Sequence, residues 1–250
     1  MVWRILRGVD GNGPDLVINL IDFNFIAEIL PRLLNPFQVT IAVSLISLGL
    51  GLVLGLSLGM LWVMSASGGP VRLALNSYVW FVRGTPIIIQ IYIAYFFLPK
   101  LGFNWDVFWI GVVALTINTV GYQIEIVRAA IASIDQGQQE AALSIGMTDH
   151  NTMVWIIVPQ ALRRMIPPLT NELANLVKAS SILSVISLFE LTKAGDAIIA
   201  SSFRFVEVLA LLSIFYFAIV QTLSRIARYL ENRVFSYGNL PGDRGGEVMG

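Results

Sequence analysis

The sequence predicts an all-α fold, a polytopic membrane bundle of about five transmembrane helices, from three observations. Hydrophobic residues make up 56% of the 250 and charged residues only 13%, where a soluble domain carries about 25% charged residues. Mean hydropathy is +0.75, more apolar surface than the polar shell of a soluble fold of this size can cover. The apolar residues also fall into stretches of about 20, the length that crosses a bilayer as helix. Only helices or closed barrels satisfy the backbone in lipid, and these stretches lack a barrel's alternation.

Each stretch has its own boundaries. The first covers 37–64, within a charge-free interval between Arg32 and Arg72. Within it, Ser47, Gly51, Gly55 and Gly59 recur every four residues, a row of small side chains that lets another helix approach closely, inside the bundle or across a dimer seam. The second covers 75–98, with Arg83-Gly84-Thr85-Pro86 near its start. Pro86 removes a backbone donor and disfavours helix at Thr85, so a kink or a helix start is expected there. Arg83 either snorkels to the headgroups or belongs to an interrupted helix that opens polar backbone to a cavity. The third covers 107–131 and carries Glu125 and Arg128, three apart and able to pair locally. The fourth covers 167–188 with Glu172 and Lys178, too far apart to share one helical turn, and the fifth covers 206–226.

Outside the spans, 23–34 mixes Phe, Ile and Leu with Asp22, Glu28 and Arg32, the pattern of a short amphipathic helix in the membrane interface. The expected organisation is an external segment 1–35, a membrane domain 36–232 with a polar loop at 133–165, and a cytoplasmic tail 233–250. No cleavable leader is expected, because residues 1–14 lack an apolar core. Arginines weighted toward one side of a five-span arrangement predict the N-terminus outside and the C-terminus inside.

Composition also excludes functions. A formal net charge of +0 gives no basic field for nucleic acid. With no cysteine and one histidine, thiolate nucleophiles and zinc-thiolate sites are absent, and His150 is expected to sit in solvent. An intramembrane enzyme would need a Cys nucleophile, a His-Glu-x-x-His pair or paired aspartates in the spans, and none occurs. A channel or secondary transporter predicts inverted repeats or paired broken helices, and the two halves show no repeat.

The polar loop carries the most specific signal. Residues 138–145 are good helix formers, Gly146 is a natural left-handed stop, and Thr148 or Asp149 can cap a second helix. A short helix-turn-helix with a small, nearly flat surface at Ala141 and Ala142 is therefore expected. Glu140-Ala-Ala, then Gly146, then Ile157-Val158-Pro159 resembles the cytoplasmic coupling loop of binding-protein-dependent ABC importer permeases. Arg83-Gly-Thr-Pro86, Glu125-Ile-Val-Arg128, Pro159-Gln-Ala-Leu-Arg163, Pro167-Pro168-Leu169, Asn171, Lys178 and Glu190-Leu-Thr192 resemble the polar amino-acid subfamily, across roughly 34–229.

The resemblance implies a type I importer permease in the bacterial inner membrane, with the pathway formed by alternating access. It implies a second permease, identical or homologous, two cytoplasmic ABC ATPases that hold ATP and Mg, and an external amino-acid-binding protein. No Gly-x-x-x-x-Gly-Lys-Ser/Thr loop occurs here, so this chain is expected to bind no cofactor and to carry no ATPase site of its own. Carried over by position, Glu140, Ala141, Ala142, Leu143, Gly146, Met147 and Pro159 couple to the ATPase. Arg83, Thr85, Pro86, Glu125, Lys178, Ser180 and Ser181 are the candidate pathway residues. Subfamily members have Asp after the lysine, where this chain has Ala179. Either the substrate is not strongly basic, or the acidic partner lies on a second, different permease, or no fixed midplane site exists and the binding protein alone sets specificity.

Overall fold

A computed structural model describes residues 22–235; the remainder of the expected external segment and most of the expected tail lie outside them. The described chain is helical from end to end. α1 covers Phe23–Met64, α2 Pro70–Gly84, α3 Ile87–Phe97 and α4 Val107–Ala132. In the polar loop lie α5, Gln136–Ser144, and the short α6, Asp149–Thr152. One π-helical turn, Met153–Ile157, leads into α7, Val158–Ser180. A 3-10 segment, Ser181–Ile186, precedes α8, Leu191–Ser202, and α9, Phe205–Phe235.

α4 is the centre of the bundle and packs on α1, α2, α3 and α7. Its contact with α1 explains the small-residue row. A Cβ on Gly51 would meet Thr119 at 2.4 Å, one on Gly55 would meet Gln123 at 2.3 Å, and one on Gly59 would meet Val127 at 2.7 Å. Pairing 51 with 119, 55 with 123 and 59 with 127 means that the two helices run parallel. The row is therefore used inside the chain, and a dimer seam is not needed to explain it. Ser47 continues it by donating to the Val112 carbonyl at 3.2 Å.

Two helical segments differ from the expectation. The stretch 23–34 is not a separate interfacial helix but the start of α1, which runs 42 residues through Pro31 and Pro36. Asp22 caps it by accepting from the Asn24 and Phe25 N–H groups at 3.0 and 3.2 Å. Ile29, Leu33 and Pro36 are buried, the first two in a cluster with Leu191, Ile198, Val208 and Leu211 of α8 and α9. That packing holds the helix together where proline removes a donor. The second difference concerns the fourth span. Among the described residues three helices are long and apolar enough to cross a membrane (α1, α4 and α9), or four if the bent α2–α3 pair counts as one. α7 falls short because Arg163, Arg164, Asn171, Glu172, Asn175 and Lys178 interrupt it.

Candidate functional site

The break at Thr85-Pro86 is where the expected interruption occurs. α2 and α3 meet there at 110°, with Thr85 and Pro86 both extended. A helix that stops inside a bundle leaves carbonyls without partners. Gln90 takes them up: its Nε2 donates to the Val82 carbonyl at 2.8 Å and lies 2.9 and 3.2 Å from the Thr85 hydroxyl and carbonyl. Asn118 of α4 in turn donates to Gln90 Oε1 at 3.0 Å. Thr85 donates back to the Phe81 carbonyl at 2.9 Å.

Beside this break lies a cavity of about 340 Å3, lined by Thr85, Pro86, Asn118, Tyr122, Glu172 and Asn175 among others. Its volume is within the range of small-ligand sites, about 300–1,000 Å3. α7 contributes Glu172, Asn175, Leu176 and Ala179, spaced three to four apart and hence on one face. Glu172 is 8% exposed, accepts from the Thr119 hydroxyl at 2.8 Å, and has no ion pair among the described residues. A buried carboxylate that lacks a cation but faces a cavity is a group able to take an ammonium.

The residues singled out from sequence distribute unevenly around this cavity. Thr85 and Pro86 line it. Ser180 does not: it is fully buried and donates to the Val177 carbonyl at 2.7 Å, so its hydroxyl is spent inside the helix. Ser181 likewise donates to the Lys178 carbonyl at 2.7 Å. Lys178 is exposed and is not among the cavity's lining residues. Arg83 and Glu125 line a different cleft. There Arg128 grips Glu125 through Nε and NH2 at 2.8 and 2.6 Å, the expected local pair, and Arg83 joins across the helices at 3.2 Å. Gln90, Asn118, Tyr122 and Asn175 escaped the sequence reading. Their signal is a polar side chain within an otherwise apolar run, as in Ile87-Ile-Ile-Gln90-Ile-Tyr-Ile.

The polar loop folds as a helix-turn-helix. Asp135 caps α5 by accepting from the Gly137 N–H at 2.7 Å. Gly146 has φ +85; its N–H donates to the Leu143 carbonyl, and the Met147 N–H donates to the Ala142 carbonyl, the paired bonds of a Schellman stop. Thr148 caps α6 through the Asn151 N–H at 3.3 Å, and His150 is exposed. The two alanines separate, however. Ala141 is exposed, whereas Ala142 is 5% exposed and turns inward, toward the chain itself. The outward apolar groups are Leu143 and, at 80% exposure, Ile145. Glu140 is exposed and Met147 half-buried. Pro159 stands in the first turn of α7, directly after the π-helical turn, so its missing N–H removes one bond from a continuous helical run. Ile157, Ala161 and Met165 root the loop on Val127 and Ala130 of α4, with Leu56, Met60 and Val63 of α1 against them. Arg164 donates to the Ser133 carbonyl, and to its hydroxyl at 3.0 Å.

Opposite this end, Glu190 caps α8. It accepts from the Lys193 N–H at 2.8 Å and from the Tyr216 hydroxyl at 2.9 Å, joining α8 to α9. The Thr40 hydroxyl of α1 accepts from the Leu191 N–H at 3.1 Å.

Comparison with known proteins gives this arrangement a context. The family described as the inner membrane component of binding-protein-dependent transport systems matches residues 51–236. The glutamine transport system permease protein of Escherichia coli is 37% identical over 216 residues, 85% of this chain and 97% of that protein. The arginine transport system permease protein of Bacillus subtilis is 33% identical over 217 residues, 86% of this chain and 98% of that one. A crystal structure of an amino acid ABC transporter with histidines superposes with a TM-score of 0.78 at 34% identity, covering 85% of this chain and 99% of that one.

Proposed function

The chain belongs to the family of binding-protein-dependent transport system inner membrane components, and from that premise we propose how it works. It is a membrane-spanning permease subunit of an amino-acid ABC importer, not a secondary transporter or channel. Hydrolysis of ATP with Mg takes place on two partner ATPases, and this chain contributes no nucleotide site. A second permease completes the pathway, and an external binding protein delivers the substrate. The loop end of the bundle faces the cytosol and the N-terminus faces outward.

The observation that carries this reading is the loop between α4 and α7. Parallel α1 and α4 both end beside it, so a load on the loop acts on the two most closely packed helices together. α5 ends in a fixed Schellman stop, and the exposed side chains next to that stop are Leu143 and Ile145. Glu140, Ala141, Leu143, Gly146 and Met147 form the surface that seats in the ATPase; Ala142 and Pro159 hold that surface in shape. When the ATPases close, the loop draws the inner ends of α1, α4 and α7 together and the cavity changes its side of access.

The cavity is the substrate station. Glu172 takes the ammonium of an amino acid, while Asn118, Tyr122 and Asn175 serve its carboxylate or a carboxamide side chain. Two of the relatives carry glutamine and arginine by name, and a site with one carboxylate and two amides suits a neutral polar amino acid. The absence of Asp at position 179 fits the same preference.

The chain has no cysteine, so Ile145→Cys gives a single reporter. In the assembled importer it should cross-link to the ATPase, with a yield that changes on ATP binding. Labelling of that cysteine by a membrane-impermeant reagent applied from outside would overturn the orientation and the coupling role together.

A further inference from the structure

The loop end of the bundle holds a second cleft, distinct from the cavity at the broken helix. It measures about 430 Å3 and is lined by Trp62, Asn76, Trp80, Arg83, Glu125 and Arg128, among others. Glu125 is shared by two guanidinium groups: Arg128 grips it at 2.6 and 2.8 Å and Arg83 reaches it at 3.2 Å. Arg72 lies 3.8 Å over the ring of Trp62, a wall of the same cleft, and has no ion pair among the described residues. Arg83 and Arg128 against Glu125 leave the lining with an excess of one positive charge, and Arg72, outside the lining, adds a second beside Trp62. Arg83 has no other protein acceptor among the described residues, so its remaining donors point to something outside the chain.

Depth and walls narrow the ligand class. Glu125 stands seven residues before the end of α4 at Ala132, about 10 Å along the helix, and Trp62 two residues before the end of α1 at Met64. The cleft therefore opens near the level of the headgroups, where tryptophan gathers. Trp80 is 80% exposed, and Trp62 donates to Asn76 Oδ1 at 2.6 Å in the cleft's wall. An apolar rim around a guanidinium cluster matches an amphiphile whose acyl chains stay in lipid while its anionic head enters. Guanidinium forks suit phosphate oxygens in particular.

We propose that this cleft binds the phosphate headgroup of an anionic phospholipid from the cytoplasmic leaflet, with Arg83 and Arg72 as the principal contacts. The assignment of the leaflet rests on the orientation proposed above. Arg83 and Glu125 then belong to a lipid site and not to the substrate pathway.

The test uses the complete importer, reconstituted in phosphatidylcholine with phosphatidylglycerol as the anionic probe. Lipids retained through purification are counted by native mass spectrometry. Phosphatidylglycerol should be enriched over phosphatidylcholine by about tenfold, the order expected for one or two charged hydrogen bonds. The pair Arg72→Gln with Arg83→Gln should bring the ratio close to parity, whereas Arg83→Lys, which keeps the charge, should retain most of it. Equal retention of both lipids by the unaltered protein overturns the proposal, as does enrichment that survives the double substitution. Loss of enrichment when inorganic phosphate replaces chloride at constant ionic strength overturns the lipid in favour of a free anion. The leaflet is read separately from the Ile145→Cys labelling: external labelling defeats the orientation, whereas absent enrichment with internal labelling defeats the lipid site alone.

Discussion

Gly55 offers the sharpest test of the α1–α4 seam. A methyl group placed there would lie 2.3 Å from Gln123 Oε1 and 2.6 Å from Gln123 Cβ, where ordinary contact begins near 3.4 Å. Rotating the Gln123 amide relieves the first contact but not the second, because Cβ moves only with the backbone. Gly55→Ala therefore pushes the helices apart by roughly an ångström, and overpacking of this kind costs about 1–3 kcal/mol. For a protein of this size that is a fall in melting temperature of about 2–12 °C. Gly49 supplies the control, since a methyl group there meets nothing within 4 Å. Gly49→Ala should leave the melting temperature unchanged or raise it slightly, because alanine favours helix by about 1 kcal/mol over glycine. Both variants would be melted in the same detergent and followed by fluorescence size exclusion. Equal melting temperatures for the two alanine variants would refute the parallel seam. A drop on Gly55→Ala that shrinks in a Gln123→Gly background would confirm that the two positions are in contact.

Other outcomes follow from the site itself. Gln90→Leu strands the Val82 carbonyl and the Asn118 amide at the broken helix and should destabilise the chain by about 1–3 kcal/mol, read as a lower melting temperature; unchanged stability would mean that water satisfies the break. Glu172→Gln keeps the shape but removes the charge, and should cut ATP-coupled amino-acid uptake while the ATPase still assembles; normal uptake would remove Glu172 from the pathway. Gly146→Ala meets no neighbour within 4 Å, so its only cost is holding alanine at φ +85, about 1–2 kcal/mol. It should lower transport per ATP hydrolysed without impairing membrane insertion, and full coupling would refute the fixed stop. The Asp22 carboxylate accepts from the Phe25 N–H and pairs with Arg204 at 2.9 Å, which holds its pKa below the ordinary 3.8. A depressed carboxylate contributes its full stability above that ordinary value and loses it only as pH falls through the lower folded value. Asp22→Asn should therefore melt lower than the unaltered protein at neutral pH, with the gap closing in strong acid; a gap independent of pH would assign the effect to the cap alone.

Features decided by neighbours in sequence were legible from sequence. Pro86 interrupts its helix because it lacks an N–H, and Gly146 ends α5 because it accepts a left-handed backbone; neither depends on what lies across the bundle. The four-residue row of small side chains was legible as a seam, though its partner was not, since only the fold brings Thr119, Gln123 and Val127 against it. Ala141 and Ala142 looked equivalent in sequence, and one residue of helical rotation, about 100°, separates the exposed one from the buried one. Ser180 was misread for a related reason. A hydroxyl in a span can bond its own helix three residues back, and composition does not reveal which choice it makes. The continuity of α1 through Pro31 and Pro36 went against the rule that proline ends a helix, because packing of Ile29 and Leu33 on α8 and α9 outweighs two missing bonds. α7 hid its place in the bundle behind its polarity: two of the residues that make it a poor candidate for lipid, Glu172 and Asn175, line the cavity.

α1 has a mechanical consequence. At 42 residues it is about 63 Å long, roughly twice the hydrocarbon thickness of a bilayer. One end is riveted to the α8–α9 corner through Asp22 and Arg204, and the other is keyed to the root of the polar loop through Leu56, Met60 and Val63. A strut anchored at both ends cannot tilt on one side of the membrane without tilting on the other. On the orientation proposed above, work delivered at the loop end is thus felt at the opposite face, with Pro31 and Pro36 as the joints where the strut can yield.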